Sequence, residues 1–185
     1  GNSLANRAYY ALPFLSTKEG TPSGAVFGFA NILLKIIQSE LPDDIVVAFD
    51  HARKTFRNDI YPEYKMQRKP APEELIVQFP YIKEMLETMN IKVIEQAGIE
   101  ADDIIGTVTK NYQGKKVILS GDRDLLQLID DDTQVWLTKK GVTEIDKVDQ
   151  PRLKELFGIE PYHIWKNEED HGAGDVKDGV PFQPN

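Results

Sequence analysis

Eight carboxylates stand where strand-like apolar runs stop, or in the turns beyond them: Asp50, then Glu100, Asp102 and Asp103, then Asp122 and Asp124, then Asp175 and Asp178. The first three groups follow buried-looking stretches, so the arrangement gathers like charge at one edge of a sheet. Carboxylates packed together repel and raise one another's pKa. A hard divalent cation with oxygen ligands, Mg²⁺ or Mn²⁺, is the common reason for a fold to tolerate them. The pattern therefore points to metal-dependent chemistry, with phosphate as the substrate group.

Each group also has a plainer reading. Acidic residues in the first turn of a helix are favoured by its dipole, which alone would account for one of Glu100, Asp102 and Asp103. Three carboxylates in four positions exceed that need. In Ser120-Gly-Asp-Arg-Asp124, one Asp would serve as an N-cap for a helix starting near Leu125. Asp50 reads as a turn former, and Asp175-Val-Lys-Asp178, in a Gly-rich stretch, as a solvated acidic loop.

A second constellation is basic. Arg53, Lys54, Arg57, Lys65, Arg68 and Lys69 face only Asp59 and Glu63 in the same segment, so it is positive by four within a chain of net charge −8. Phe56, Tyr61 and Tyr64 are interleaved with these cations. Cations neutralise phosphates, and rings stack on unpaired bases. A solvated loop is the alternative. Arg7, beside Tyr9 and Tyr10, adds another candidate phosphate contact. His51, His163 and His171 form no ligand pattern, and Trp136 and Trp165 read as packing residues.

The elements that must position these residues alternate in type. Val26, Phe29, Leu33, Ile36 and Ile37 repeat with helical period, with Pro22 suited to the first turn. Ile45–Phe49 reads as a buried strand ending at Asp50. Residues 51–72, with Pro62, Pro70 and Pro72, interrupt the pattern as a long loop or helical insertion. A helix follows over Leu75, Phe79, Ile82, Leu86 and Met89, with Pro80 at a kink or helix start. Lys92–Glu95 is a strand, and Ala101–Tyr112 is a helix burying Ile104, Ile105, Val108 and Tyr112. Lys116–Leu119 is a strand, and a helix starts over Asp124–Ile129. Gln134–Thr138 and Val142–Ile145 form a hairpin around Lys139-Lys-Gly141. Arg152–Phe157 is a short helix. Such alternation predicts an α/β fold with a mainly parallel sheet, whose sites collect at the carboxyl ends of strands.

Composition sets the outer bounds. The 185 residues suffice for one sizeable domain. No apolar stretch approaches the roughly 18 residues of a membrane span, and Gly1–Arg7 lacks the features of a signal peptide. With no cysteine, disulfides and thiolate metal sites are excluded, which is compatible with a reducing cytoplasm.

The ordered strings Gly1-Asn-Ser-Leu-Ala-Asn-Arg7, Val46-Val-Ala-Phe-Asp50, Lys54-Thr-Phe-Arg57, Tyr61-Pro-Glu-Tyr-Lys65, Gln78-Phe-Pro-Tyr-Ile-Lys83, Gly98-Ile-Glu-Ala-Asp-Asp103 and Ser120-Gly-Asp-Arg-Asp124 carry a resemblance. The chain resembles the 5′-nuclease (5′→3′ exonuclease, flap endonuclease-like) domain of bacterial DNA polymerase I and its stand-alone relatives, over residues 1–160. The resemblance implies a PIN-like, Rossmann-like core over 1–160 with a basic arch at about 51–72, then an acidic, Gly-rich tail over 161–185. It implies metal ligation, by two Mg²⁺ or Mn²⁺ ions, at Asp50, Glu100, Asp102, Asp103, Asp122 and Asp124, with Asp175 and Asp178 in a Gly-Asp-x-x-Asp motif. Lys65 and Arg7 would offset charge on the scissile phosphate. Arg57, Tyr64 and Arg68, with Arg53, Lys54, Phe56, Tyr61 and Lys69, would contact DNA.

The implied activity is hydrolysis of DNA from a 5′ end or at a 5′ flap in replication and repair, with a fused or separate polymerase as partner and no membrane. The sequence departs from the family in two places. The family carries a strand ending in Asp before Gly-Asn-Ser, where this sequence opens at Gly1, so a central strand and one ligand are expected to be missing. After Pro161 the tail fits poorly, and the helix–three-turn–helix element is largely missing. Three rival readings stand beside this one. A binding module of the same fold would bind without cleaving. A small-molecule phosphatase has no use for the Arg53–Lys69 patch. A structural calcium site leaves the convergence of three separate segments unexplained.

Overall fold

The structure, a computed structural model, describes residues 1–51, 70–139 and 144–158. The helices are α1 (Asn2–Ala11), α2 (Gly24–Glu40), α3 (Glu73–Ile76), α4 (Phe79–Thr88), α5 (Ala101–Asn111) and α6 (Gln150–Phe157). The strands are β1 (Val46–Asp50), β2 (Lys92–Gln96), β3 (Lys116–Ser120), β4 (Thr133–Thr138) and β5 (Ile145–Val148), with a 3₁₀ turn at Asp124–Leu128.

Strand β1 pairs in parallel with β2, with Val46 opposite Lys92 and Asp50 opposite Gln96. Strand β3 pairs in parallel with β4, and β4 pairs antiparallel with β5. Parallel pairing dominates, as the alternation of elements implied. Among the described residues the ladders nonetheless form two sheets rather than one, because β1 and β3 do not pair with each other. The expected hairpin is present, but its second strand starts at Ile145; residues 140–143 lie outside the described part.

Burial on both faces explains the continuous apolar run of β1. Val47 and Phe49 enter a core with Ala5, Phe29, Leu33, Ile82 and Leu86. Ala48 points the other way, onto Ala101 and Ile104 of α5. Strand β3 contributes Ile118 to a third cluster with Leu125, Val135, Val148 and Leu153. Ile105 of α5 packs against both of the last two clusters and so joins the sheets through a helix.

Three local expectations change. Pro22 lies before α2: Ser23 N–H donates to Leu15 O, and Ser16 bridges Pro22, which holds that stretch extended. The one helix expected over Leu75–Met89 is two, α3 and α4, and of the two readings of Pro80, a kink or a helix start, the helix start holds, since it sits in the first turn of α4. Tyr112 is 45% exposed, because α5 stops at Asn111 and Tyr112 turns to extended backbone.

Candidate active site

Strand β1 delivers Asp50 to the start of α5. Its Oδ1 accepts the N–H of Ala101 at 2.8 Å. The N-cap residue of α5, Glu100, makes no side-chain cap of its own, so the cap comes from a strand about fifty positions earlier. Glu100 is buried, at 7% exposure, while Asp102 and Asp103 occupy the first turn of the helix. The Gly1 amino nitrogen donates to Ala48 O at 2.6 Å. Asp50 and Asp102 both lie near that nitrogen. Asp50 and the acidic turn of α5 thus share one space beside Gly1.

The second acidic turn closes β3. Asp122 N–H donates to Ser120 Oγ at 3.1 Å, and Asp122 Oδ1 accepts Asp124 N–H at 3.0 Å. As placed, Asp122 forms an Asx-type turn just before the 3₁₀ turn, whose N-cap residue is Arg123. Helix α5 packs against this turn.

Helix α1 touches both regions. Asn2 Oδ1 accepts Asp50 N–H at 3.1 Å, and Ser3 Oγ accepts Gly121 N–H at 2.8 Å. Arg7, four residues after Ser3 and so on the same helix face, reaches across to Lys139 O with Nη1 at 2.5 Å. Gly121 lets this happen: a Cβ there would lie 2.9 Å from Ser3 Oγ and 3.0 Å from Arg7 Nη2. Lys139 is in turn paired to Asp146 at 3.1 Å. Arg7 is therefore a cation held beside the Gly121–Asp122 turn.

On β2, Glu95 pairs with Lys83, and His51 Nδ1 lies 3.2 Å from Glu95 Oε1. Lys83 also sits over the Phe49 ring, 5.3 Å from its centroid. His51 itself is half-exposed. Trp136 is a packing residue, buried beneath Lys147, whose Nζ is 3.9 Å from the ring centroid.

The donor set is all carboxylate oxygen, which suits Mg²⁺ or Mn²⁺ in kind. In placement, no group of three or more His, Cys, Asp or Glu among the described residues could hold a metal ion. Asp50 and Asp122 each give an oxygen to a backbone N–H. What is assembled is two acidic turns bridged by α1. Lys65, Arg53, Lys54, Phe56, Arg57, Tyr61, Tyr64, Arg68 and Lys69, like Asp175, Asp178 and Trp165, lie outside the described residues.

Asn2, Ser3 and Gln78 are positioning groups that the residue patterns did not single out. They are polar side chains whose partners in β1, α2 and the turn after β3 lie far away in sequence; Gly1-Asn-Ser and Gln78 were legible only as parts of longer strings. Among the described residues, no helix is long and apolar enough to cross a membrane.

Two acidic turns at strand ends, each tied to α1, thus stand in an α/β fold, and comparison with known proteins identifies the family. Residues 1–158 match the family described as 5′-3′ exonuclease, N-terminal resolvase-like domain. The chain is 42% identical over 187 residues to DNA polymerase I of Bacillus subtilis, a match covering 100% of this chain and 21% of that protein. It therefore spans about a fifth of the length of the curated relatives it matches. Its fold is similar to that of the T5 D15 protein co-crystallised with metal ions, with TM-score 0.69 and 20% identity over 97% of this chain and 67% of that one. It is also similar to a T5 flap endonuclease in a pseudo-enzyme–product complex with DNA and metal ions, with TM-score 0.54 and 21% identity over 72% of this chain and 52% of that one. The chain belongs to the 5′-3′ exonuclease N-terminal domain family, and its architecture is the PIN-like α/β fold of 5′-nucleases.

Proposed function

We propose that this domain hydrolyses DNA phosphodiesters from a 5′ end or at a 5′ flap, with divalent cations, Mg²⁺ or Mn²⁺, held by Asp50, Glu100, Asp102, Asp103, Asp122 and Asp124. The observation that carries the reading is the docking of Asp50 onto the acidic first turn of α5, by the 2.8 Å bond from Ala101, in a chain of this family. Asp175 and Asp178 complete the proposed ligand set.

A bound divalent cation supplies activated water and charge neutralisation at the phosphate. The chain's own residues do the rest. The carboxylates of the two turns bind and orient the cations. Arg7 sits where its charge faces a phosphate held beside Asp122, and Lys65 adds a second positive charge. Arg53, Lys54, Arg57, Arg68 and Lys69 hold the strand by its phosphates, and Phe56, Tyr61 and Tyr64 stack on its bases. Replication and repair alongside a polymerase is the proposed setting.

A second reading has one observation in its favour: the described carboxylates do not close a three-ligand group. On that reading the chain binds DNA without cutting it. Cleavage of a 5′-labelled flap substrate with Mg²⁺ separates the two. The parent is expected to cut, and Asp122→Ala to lose at least about 100-fold in rate, a loss of about 2.7 kcal/mol in transition-state stabilisation. An Asp122→Ala protein as fast as the parent rejects the ligand assignment. A parent that binds the flap and leaves it whole supports the second reading.

A further inference from the structure

We propose that Lys139, just past the end of β4, binds a DNA phosphate and forms with Arg7 a second DNA-contact surface, apart from the Arg53–Lys69 segment. This rests on the reading of the chain as a DNA-cleaving domain and deepens it.

Strand register puts Lys139 at the same sheet edge as Asp122. Strands β3 and β4 run parallel, with Ser120 opposite Leu137. The residues that follow, Gly121-Asp122 and Thr138-Lys139, therefore leave the sheet together, at the carboxyl edge where sites of α/β folds collect. Thr138 Oγ1 donates to Ser120 O at 3.4 Å and ties the two strand ends to each other. The backbone of Lys139 is then held on both sides. Its N–H donates to Glu144 O at 2.8 Å, and its carbonyl accepts Arg7 Nη1 at 2.5 Å. The other edge of the Arg7 guanidinium lies against Gly121, with Nη2 and Nε 3.0 and 3.2 Å from where a Cβ would stand. Among the described residues no carboxylate pairs with Arg7, so its charge stays uncancelled there.

The ammonium of Lys139, unlike its backbone, is free to change partner. Its side chain is 54% exposed, and its Nζ meets Asp146 at 3.1 Å. Exposed ion pairs are weak. Asp146 also has a second cation, Arg152, at 3.9 Å, so it keeps a partner when Lys139 turns to a phosphate. Lysine suits that exchange, as a compact charge on a flexible stem, and release of the phosphate's counterions favours it. Arg7 and Lys139 thus give this edge one fixed cation and one mobile cation, side by side.

The test is fluorescence anisotropy of a labelled 5′-flap DNA across a salt series, with EDTA in place of divalent cations, alongside thermal melts and flap cleavage in Mg²⁺. The proteins are the parent, Lys139→Ala, Lys139→Arg and Asp146→Asn. Lys139→Ala is expected to melt like the parent and to lower the slope of log K against log salt by about 0.9, the share of one phosphate on duplex DNA. Lys139→Gln, which keeps much of the stem, replaces it if Lys139→Ala does not fold. Lys139→Arg keeps the charge and is expected to keep the slope. Asp146→Asn breaks the ion pair but leaves the ammonium, and is expected to bind DNA at least as tightly as the parent. Equal weakening in Lys139→Ala and Asp146→Asn would make the ion pair merely structural and overturn the inference. A Lys139→Ala protein with the parent's slope overturns it too, and a parent that still cleaves leaves the proposed function standing. A parent that neither binds nor cleaves flap DNA overturns the function, and the inference with it.

Discussion

At the scale of single residues, the polar groups that matter most to this fold are those that answer a backbone need far away in sequence. Gln78 is 1% exposed. Its Oε1 accepts Ala25 N–H at 2.7 Å and Val26 N–H at 3.2 Å, and its Nε2 donates to Glu74 O at 2.7 Å. It thus satisfies the N-terminus of α2, where Ser23 provides no side-chain cap. Gln78→Ala removes three bonds and leaves buried N–H groups unpaired, at about 1–3 kcal/mol for each group so stranded. The expected outcome is a loss of at least about 2 kcal/mol in urea unfolding with the m-value unchanged. Nothing in the local pattern marks this role, because a lone Gln before an apolar helix reads as an ordinary surface residue. Asp50 is the opposite case: its position at the end of an apolar run was legible, while its bond to α5 was not.

At the scale of elements, most helices and strands followed from periodicity, but α1 was not singled out, α3 and α4 read as one helix, and β5 starts three residues after Val142. The exceptions are instructive. Tyr112 fits the buried stripe of α5 by spacing, yet the helix ends one residue earlier and the ring faces solvent. Spacing carries no information about where a helix stops. Between elements, Glu40 at the end of α2 meets Lys147 of β5 at 3.0 Å, tying the helix beside the first sheet to the second sheet. The hydrogen bond from Lys147 lowers the pKa of Glu40. A depressed carboxylate stabilises above its unfolded pKa and loses that contribution as pH falls through its folded value. The melting temperature of the parent should therefore exceed that of Glu40→Gln at pH 7, and the gap should close as pH falls below the ordinary glutamate range. A gap that stays constant down to acid pH would show that the charge on Glu40 contributes nothing. The exposure of this pair keeps the difference small.

At the scale of the whole molecule, charge separates the two halves of the proposed task. The chain is −8 overall, yet the Arg53–Lys69 segment is +4. Net charge alone argues against binding a polyanion, whereas the distribution argues for it, with cations on one segment and carboxylates at the strand ends. Flap DNA affinity is expected to fall steeply with salt, and Lys65→Ala and Arg68→Ala to lower the slope of log K against log salt by about one each. A salt-independent affinity, or variants with the parent's slope, would remove this segment from the DNA interface. Family membership was legible at this scale because seven short strings recur in order across residues 1–124. No one of them is specific alone; the D-x-D of Asp122 and Asp124 is common in turns.

Periodicity and residue type are local properties, and they were enough to give the α/β class, the mainly parallel pairing and the order of the elements from α2 onward, with α3 and α4 read as one. Which groups meet is not local. The bonds that bring Asp50 to α5, Gln78 to α2 and Ser3 to Gly121 join residues 51, 53 and 118 positions apart. Their existence depends on how the two sheets come together around α1 and α5. Only the tertiary structure decided that the acidic turns form two groups held by one helix end, because a hydrogen bond needs its partners within about 3 Å and no sequence interval encodes that distance.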